Sequence, residues 1–429
     1  MAIPGESLVG FPVPDRYRPG RRSFASIYRS IFIRHTSLRF FRPTKRAFFL
    51  SRPNRFTITC RLDGKVVQAF LPNPGRLLEL LLPGAPVYLE RAESPGRRLP
   101  LTAVAVERER HRVVLHTHRA NDVARYLIQN GAVHGLQGFD VLRGEVTRGK
   151  SRFDFLLKKK DQEALVEVKS CTLFSDRMAM FPDAVTARGK KHLEELASLS
   201  GKETLCAVLF LIQWPRAEFF MPDFHTDLEF ARAMMEAREK VLFLPLSVRW
   251  RSDLSLLARE AKHVAVLWEA LEREVHDGGS YLLVLRLPEE TRIGVGGLGG
   301  LRLRPGFYIY VGSAKRNLTT RIERHKRLKK KVFWHIDYLR AASELRAVLP
   351  VRSTDRLECE IGRALHGLTE WLVPGFGSSD CACPSHLFGM GGNPLTNPAF
   401  HHLLQQFRME RLVDKYAFRP GSTDVQKPR

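Results

Sequence analysis

Three residues near the middle of the chain have the types and spacing needed to handle a phosphodiester. Asp154, Glu167 and Lys169 follow the order Asp-x12-Glu-x-Lys. Two carboxylates can hold Mg²⁺ or Mn²⁺ through oxygen ligands, and a neighbouring ammonium can orient water or neutralise phosphate charge. We therefore expect a divalent-metal site formed by Asp154 and Glu167, with Lys169 as its cationic partner.

Two predicted strands must position this set. Residues 153–157 and 165–168 have strand character, and 158–161 form the turn between them. Residues i and i+2 face the same side of a strand, so Glu167 and Lys169 project together. The alternative is a solvated strand face or a cross-strand ion pair. Glu145, nine residues before Asp154, is either a third catalytic acid or an exposed residue.

The charge balance favours a polyanionic partner. Lysine and arginine total 69 against 45 acidic residues, which gives a net charge of +24. The simplest such partner is DNA, and RNA is also compatible with the charge. The alternative is that the positive charge serves only solubility. No apolar run is long enough for a transmembrane helix, so we expect no membrane partner. Six cysteines make no disulfide framework, which fits a cytoplasmic location.

The chain divides into six predicted segments. Residues 1–46 are rich in Arg, Ser and Pro and are expected to be a disordered basic extension. Residues 47–118 contain short strands and a hairpin signal at Asp63-Gly64, which predict a small β-barrel. Residues 119–252 alternate helices and strands, with helices expected over 186–200 and 228–240. A linker helix is predicted over 253–278, an α/β domain over 279–390, and a polar tail over 391–429 with one helix near 398–413.

Several cations and one amide are candidates for contacting nucleic acid. In the barrel, Arg55, Asn73 and Arg76 lie around turns, where turn chemistry and surface charge are the alternatives. Arg188 and Lys191 lie near a predicted helix start. In the last domain, a basic helix predicted over 316–331 carries His325, Lys329 and Lys330, which either track a phosphate backbone or form a solvated face.

The first 250 residues, without the extension, resemble the sugar fermentation stimulation protein A family. The motifs are Leu71-Pro-Asn-Pro-Gly-Arg-Leu77, Gly149-Lys-Ser-Arg-Phe-Asp-Phe155, Val166-Glu-Val-Lys-Ser-Cys-Thr-Leu173 and Arg188-Gly-Lys-Lys-His192. The resemblance implies an OB-like barrel followed by an α/β core of the PD-(D/E)xK nuclease superfamily. It also implies either DNA binding with a regulatory role in sugar use or nuclease activity.

Residues 279–390 are similar to a GIY-YIG-related domain of unknown function. The resemblance rests on Gly279-Ser-Tyr281, Gly306-Phe-Tyr-Ile-Tyr-Val-Gly312 and the residues from Leu318 to His325. The first element has Ser where the family pattern has Ile. By motif position it implies that Tyr281 and Tyr310 activate water, that Arg321 contacts phosphate, and that Glu358 binds Mg²⁺. The alternative for the tyrosines is a role as core aromatics.

Three cysteines and a histidine form a second candidate metal set. Cys359, Cys381, Cys383 and His386 offer the soft ligands that suit Zn²⁺. The Cys-x-Cys spacing is tighter than the usual Cys-x2-Cys, which favours the alternative of free buried thiols. The sequence therefore leaves both interpretations open.

The patterns predict an α+β multidomain protein, and the resemblances imply that it has an OB-like barrel, a nuclease-like α/β core and a GIY-YIG-like domain. The expected function is metal-dependent hydrolysis of DNA or RNA with Mg²⁺ or Mn²⁺, and Zn²⁺ is the candidate for the cysteine set. The alternative is a DNA-binding regulator that does not cut.

Overall fold

The computed structural model describes residues 37–92 and 96–417. The predicted extension therefore lies outside the described residues up to residue 36, but its last part belongs to the fold. Leu38 and Arg39 pair with Leu256 and Ser255, and Phe41 is buried. The predicted end of the extension at residue 46 was wrong. The boundary was placed by basic composition, which does not reveal the few apolar residues that anchor this segment.

The first sheet is an OB-like barrel. Its strands, in spatial order, are Lys65–Phe70, Thr57–Leu62, Thr44–Asn54, Pro86–Arg91, Leu101–Arg108 and His111–Val114. One parallel contact between Phe70 and Thr102 closes the barrel. Asp63 and Gly64 both have positive φ, which is the backbone that a two-residue hairpin turn needs. The predicted hairpin and barrel are confirmed.

A second, six-stranded sheet forms the centre of the first half of the described chain, which ends before Gly279; the second half begins there. It combines three parallel strands with antiparallel strands at both edges. The strands, in spatial order, are Lys262–His263, Leu242–Ser247, Thr204–Ile212, Gln162–Cys171, Ser151–Lys159 and Asp140–Arg148. Two apolar cores cover its faces because alternate side chains of each strand point to opposite sides. We call it the central sheet.

Helices cover both faces of the central sheet. The helix Ala120–Gln129 packs on one face, and the helices Ala187–Leu199 and Leu228–Glu236 pack on the other. The side chains of Thr186 and Asp227 cap the last two helices by accepting backbone hydrogen bonds. A small sheet extends this half with the strands Leu173–Phe174, Met178–Phe181, Phe219–Pro222 and Ala265–Val266.

The predicted linker helix over 253–278 was wrong. The segment contains the short strands Ser255–Leu256, Lys262–His263 and Ala265–Val266, and only Trp268–Glu274 is α-helical. Two of these strands add to larger sheets, through the pairing of Leu246 with His263 and of Phe219 with Ala265. The third, Ser255–Leu256, forms a two-stranded sheet with Leu38–Arg39. Strand pairing with distant residues has overridden the helical pattern here, because the helix propensity of a local sequence is only weakly stabilising.

The second half is built on an antiparallel sheet. Its strands, in spatial order, are Glu344–Arg352, Gly279–Leu287, Gly306–Ala314, Leu387–Met390 and Trp371–Leu372. A separate hairpin joins Thr291–Gly294 to Gly300–Leu303. The helices Leu318–Lys326 and His335–Ala342 pack on one face, and Glu358–His366 packs on the other. The predicted basic helix over 316–331 is therefore shorter than expected and ends at Lys326.

The last described segment joins the two halves. It consists of the helix Pro398–Gln405, the π-helical turn Gln406–Glu410 and the helix Arg411–Tyr416. Phe400 and Leu404 enter the core of the second half, whereas Met409, Leu412 and Tyr416 enter the core of the first half. This segment, which we call the clasp, is thus part of both cores. The helix predicted near 398–413 is confirmed, whereas the polar character expected of the tail was wrong for these residues.

Candidate functional site

Asp154 and Glu167 meet where two strands of the central sheet separate. The last paired residues of these antiparallel strands are Phe155 and Val166, so Asp154 and Glu167 are the next residues along each strand. Beyond this point Asp154 Oδ2 accepts a hydrogen bond from the backbone N–H of Val168 at 2.7 Å. The divergence places both carboxylates and Lys169 in the lining of one cleft.

Glu167 is held at one oxygen and left without a partner at the other. Lys169 Nζ lies 2.5 Å from Glu167 Oε1, and His192 Nδ1 lies 2.7 Å from the same oxygen. Glu167 is only 4% exposed, and its Oε2 is buried without a hydrogen-bond partner among the described residues. A buried carboxylate oxygen without a partner is costly unless a cation or water occupies that position.

The two carboxylates have opposite electrostatic environments. Burial, followed by the negative charge of Glu167, raises the pKa of Asp154. Burial also acts to raise the pKa of Glu167, but His192 and Lys169 outweigh it and hold that pKa below its usual range. Asp154 therefore carries an uncompensated cost of ionisation that a bound cation would remove.

Two residues that sequence analysis did not assign to the site help to position it. Asn121, at the start of the helix Ala120–Gln129, donates its Nδ2 hydrogen to Asp154 Oδ1 at 2.8 Å. His192 reaches Glu167 from the helix Ala187–Leu199. Both come from separate helices on separate faces of the sheet, and no local spacing links them to the strands.

The cleft lies between the barrel and the central sheet, with a volume of about 470 Å³. Arg55 and Gly75 line its barrel side, and Thr117 and Asn121 line it near the carboxylates. Asp183 and Arg188 also line the cleft. Cations from the barrel and from the helix Ala187–Leu199 thus face the same space as Asp154 and Glu167.

The structure separates the predicted nucleic-acid contacts in this half into two groups. Arg55 and Arg188 line the cleft, and Lys191 is exposed on the same helix as Arg188. Arg76 is instead used internally, because it donates to the Asp183 carbonyl oxygen at 2.7 Å and to Thr226 Oγ1 at 2.9 Å.

Asn73 and Glu145 are corrected as well. Asn73 lies in the cleft wall but is 4% exposed, donating to the Leu115 carbonyl oxygen and accepting from the backbone N–H of Gly75. Its role is turn chemistry. Glu145 has a 69% exposed side chain, lies 3.6 Å from Arg152 and does not line the cleft. The amide of Asn73 is thus used within the protein, and Glu145 lies outside the cleft.

A second polar cluster lies on the sheet of the second half. Tyr281 and Tyr310 lie on adjacent strands, with ring centroids 6.3 Å apart and both rings buried. Tyr281 lies over Gly312, where an added Cβ would come within 2.5 Å of the tyrosine hydroxyl. The close approach explains why the strand has glycine there.

Arg321 and Glu358 complete this cluster through one serine. Arg321 Nη1 donates to the Ser313 carbonyl oxygen at 2.5 Å, and Ser313 Oγ donates to Glu358 Oε2 at 2.5 Å. Burial, followed by the charge of Glu358, raises the pKa of Tyr310. The four residues assigned by motif position therefore lie together, and their catalytic roles stay a prediction.

His325 and Lys330 were predicted to bind nucleic acid, but the structure uses both internally. His325 is 1% exposed, and its Nε2 lies 2.9 Å from the Tyr281 hydroxyl. Burial, followed by the charge of Lys330, lowers the pKa of His325 to about 4. Lys330 Nζ lies 2.8 Å from the buried carboxylate of Asp337. Lys329 is the residue of this group that is exposed.

A possible Cys/His metal site lies beside this cluster. The ligand atoms of Cys359, Cys381, Cys383 and His386 all lie within 4.8 Å of one another. His386 Nε2 lies 3.5 Å from Cys381 Sγ, and its Nδ1 lies 3.3 Å from Glu358 Oε1. All six cysteines of the chain are free thiols. The cluster has the number and type of ligands for a tetrahedral ion.

No helix among the described residues is both long and apolar enough to span a membrane.

Comparison with known families accounts for most of the described chain. Residues 50–115 match the SfsA N-terminal OB domain, and residues 118–253 match the sugar fermentation stimulation protein RE domain. Residues 280–409 match the domain of unknown function DUF123. The matches follow the barrel, the central sheet and the second half in turn.

Curated proteins and a solved structure resemble the first half. The sugar fermentation stimulation protein homolog of Methanothermobacter thermautotrophicus is 37% identical over 224 residues, which cover 52% of this chain and 93% of that protein. The homolog of Moorella thermoacetica is 41% identical over 194 residues, or 45% of this chain and 84% of that protein. The structure of Pyrococcus furiosus SfsA in complex with Ca²⁺ is 25% identical, with a TM-score of 0.50 over 54% of this chain and 99% of that chain. Because the chain spans nearly the whole of the first relative at this identity, it belongs to the sugar fermentation stimulation protein family.

Proposed function

We propose that this protein is a metal-dependent nuclease that hydrolyses phosphodiester bonds of DNA or RNA in the cleft between the barrel and the central sheet. The observation that carries the proposal is the meeting of Asp154 and Glu167 in that cleft, with Glu167 Oε2 buried and without a partner. The arrangement corresponds to a core of the PD-(D/E)xK type.

The donor set fits Mg²⁺ or Mn²⁺. Asp154 and Glu167 offer hard oxygen ligands, and the free Oε2 of Glu167 is available for one of them. A bound cation of this kind would supply charge neutralisation at the phosphate and an acidified water. The Ca²⁺ bound by the Pyrococcus furiosus relative, also an oxygen-seeking cation, supports this choice.

The surrounding residues have separate tasks. Lys169, hydrogen-bonded to Glu167, lines the cleft and can contact the scissile phosphate or orient the attacking water. His192 and Asn121 act as positioning residues, since each fixes one carboxylate by a hydrogen bond. Arg55 and Arg188 lie where they can contact phosphates on either side of the reacting one.

The alternative is a DNA-binding regulator that does not cut. Both oxygens of Asp154 already accept hydrogen bonds within the protein, from Asn121 and from the Val168 N–H. Such a carboxylate is satisfied without a cation. The cations along the cleft and the net charge of +24 would then serve binding alone.

The second half would contribute a GIY-YIG-like site with Tyr281, Tyr310, Arg321 and Glu358. The hydrogen bonds that join Arg321, Ser313 and Glu358 beside the two tyrosines support it. The thiolate and imidazole ligands of the cysteine cluster fit Zn²⁺ in a structural role. Mg²⁺ at Glu358 is the corresponding proposal for catalysis.

Two further points belong to this proposal. The nuclease-like core would comprise 119–252 and the GIY-YIG-like domain would begin at residue 279, and the corresponding family matches cover 118–253 and 280–409. The protein would act in the cytoplasm, where a reducing environment keeps thiols free.

The deciding experiment incubates the full chain with single-stranded, duplex and branched DNA and RNA, in Mg²⁺, Mn²⁺ or EDTA. We expect cleavage in Mg²⁺ or Mn²⁺, none in EDTA, and loss of cleavage in Asp154→Asn with binding retained. Activity that survives Asp154→Asn but not Tyr310→Phe would assign the cutting to the second half. Binding without cleavage under every condition would favour the regulator, and absence of both would overturn both functions.

A further inference from the structure

A short segment beside the second polar cluster combines exposed apolar and basic side chains. We call residues 327–333 the basic–apolar loop; it connects the helices Leu318–Lys326 and His335–Ala342. Its apolar members are all exposed: Leu328 by 60%, Val332 by 44% and Phe333 by 74%. Its basic members are Arg327, Lys329, Lys330 and Lys331. Large apolar side chains exposed together on one surface usually mark a binding site.

The loop is held in place by a buried carboxylate. Asp337 Oδ2 accepts hydrogen bonds from the backbone N–H groups of Phe333 at 3.0 Å and Trp334 at 3.1 Å. Lys330 Nζ lies 2.8 Å from Asp337 Oδ1, and Arg324 Nη2 donates to the Lys331 carbonyl oxygen at 2.7 Å. Phe333 is therefore presented to solvent by a fixed backbone.

Phe333 also has a free ring surface next to the candidate site. It contacts the ring of Trp334 with centroids 5.0 Å apart and planes at 81°, and the residue stays 74% exposed and accessible to a ligand. The Trp334 ring lies 4.8 Å from the guanidinium carbon of Arg321 and 4.3 Å from that of Arg324. Phe333 thus adjoins the arginine proposed to contact phosphate.

We propose that the basic–apolar loop binds an unstacked base of a nucleic acid, with Phe333 stacking on the base and Lys329 and Lys331 contacting the flanking phosphates. The inference rests on the proposed function, and it adds a substrate class: nucleic acid with a bulged, flipped or otherwise unpaired base. Bases stack on aromatic rings regardless of sequence, and exposed lysines beside the ring match the phosphates that flank a base.

An anionic membrane is the other surface that combines charge and apolar depth. Nucleic acid is favoured because the loop adjoins Arg321, whose cluster has the groups for handling a phosphate. The two surfaces are separated by the experiment below.

The test uses the full chain and short probes in DNA and in RNA, either fully paired or carrying one bulged 2-aminopurine. For the bulged probe we expect a change in 2-aminopurine fluorescence on binding, and a loss of about tenfold in affinity in Phe333→Ala. The affinity for fully paired probes should differ less than about twofold between Phe333→Ala and wild type. Phe333→Trp should bind the bulged probe as tightly as wild type does. Phe48→Ala is the matched control, because Phe48 is 42% exposed and lies 5.3 Å from the guanidinium of Arg46 on the barrel.

Three outcomes would overturn the inference. If wild type binds the bulged probe and Phe333→Ala binds it equally, the inference fails while the proposed function stands. If no probe binds to wild type, the proposed function fails and the inference fails with it. If Phe333→Ala changes only the binding to vesicles of phosphatidylserine and phosphatidylcholine, the loop is a membrane-surface element instead.

Discussion

Arg408 and Asp223 form an ion pair across the boundary between the two halves. Arg408 Nη2 lies 2.9 and 3.0 Å from the two carboxylate oxygens of Asp223, and the side chains are 11% and 0% exposed. The same nitrogen contacts Thr226 Oγ1 at 2.8 Å, and Arg76 donates to that hydroxyl as well. The clasp is therefore connected through Thr226 and Arg76 to Asp183 in the wall of the cleft.

Replacing Arg408 with Met should destabilise the protein by about 3–5 kcal/mol, because it leaves the buried charge of Asp223 without its partner. The free energy of unfolding in urea measures the effect. The double variant Arg408→Met with Asp223→Asn should recover part of the loss. Arg232→Met, which removes an exposed partner of Glu229, is the control and should cost less than about 1 kcal/mol. Equal effects of the two single variants would contradict a structural role for the buried pair.

Asp154→Asn should stabilise the metal-free protein near neutral pH. Burial and the charge of Glu167 raise the pKa of Asp154, so at a pH above that raised value the ionised side chain lowers stability. Asparagine removes the charge and can still accept the hydrogen bond from Val168. The melting temperature without metal is the measurement.

The same variant should lose the response to Mg²⁺. At about 100 times the Kd, the cation should stabilise wild type by ~2.7 kcal/mol and leave Asp154→Asn unchanged. Glu163→Gln is the control on the same strand as Glu167, because Glu163 pairs with Arg148 and does not line the cleft. A full Mg²⁺ response in Asp154→Asn would remove this carboxylate from the metal site.

Purified protein should contain about one zinc ion per chain, bound by the cysteine cluster. Cys381→Ala should lose it and should melt at a lower temperature, whereas Cys206→Ala, a buried thiol of the central sheet, should keep its zinc. Elemental analysis of the two variants separates loss of the ion from loss of a core thiol. Wild type without zinc, even after refolding in its presence, would leave the four residues as part of the core.

Glu274 should make stability fall in acid. Its side chain is 0% exposed, and although burial acts to raise its pKa, contacts with Arg411, Tyr416 and Lys415 lower it to about 2. A depressed pKa contributes stability that is fully present above the ordinary value of 4.5 and is lost as the pH falls toward about 2.

The variant Glu274→Gln should therefore be less stable than wild type at pH 7. The difference in the free energy of unfolding should shrink as the pH falls from 4.5 toward about 2. Chemical unfolding from pH 7 to pH 3 measures it. Glu272→Gln, which alters a 59% exposed carboxylate near the same helix end, should show no such narrowing. A difference between Glu274→Gln and wild type that stays constant with pH would argue for a packing effect alone.

Local patterns were sufficient to predict the barrel hairpin and the strands that carry Asp154 and Glu167. The Asp63-Gly64 turn and the spacing of Glu167 and Lys169 are properties of contiguous residues, and contiguous residues determine hairpins and strand faces. Asn121 could not be found in this way. It contacts Asp154 across 33 positions of sequence, and only the packing of a helix on the sheet creates that contact.

Charge alone gave the wrong role to several cations. His325 and Lys330 lie in a run of basic residues, but the carboxylate of Asp337 lies beneath that run and takes up Lys330 and Arg324. Composition counts charges without showing which of them an internal acid neutralises. The sequence did not mark Phe333 as a candidate either, because Val332, Phe333 and Trp334 follow the basic run without a periodic pattern.

The clasp makes the order of synthesis matter. Met409, Leu412 and Tyr416 complete the core of a half whose central strands were made more than 150 residues earlier. During synthesis on the ribosome, part of the apolar surface of that half and the Asp223 carboxylate stay uncovered until the clasp emerges. A chain that stops short of the clasp displays this surface permanently, so chaperones and proteases can distinguish truncated chains from chains that have closed.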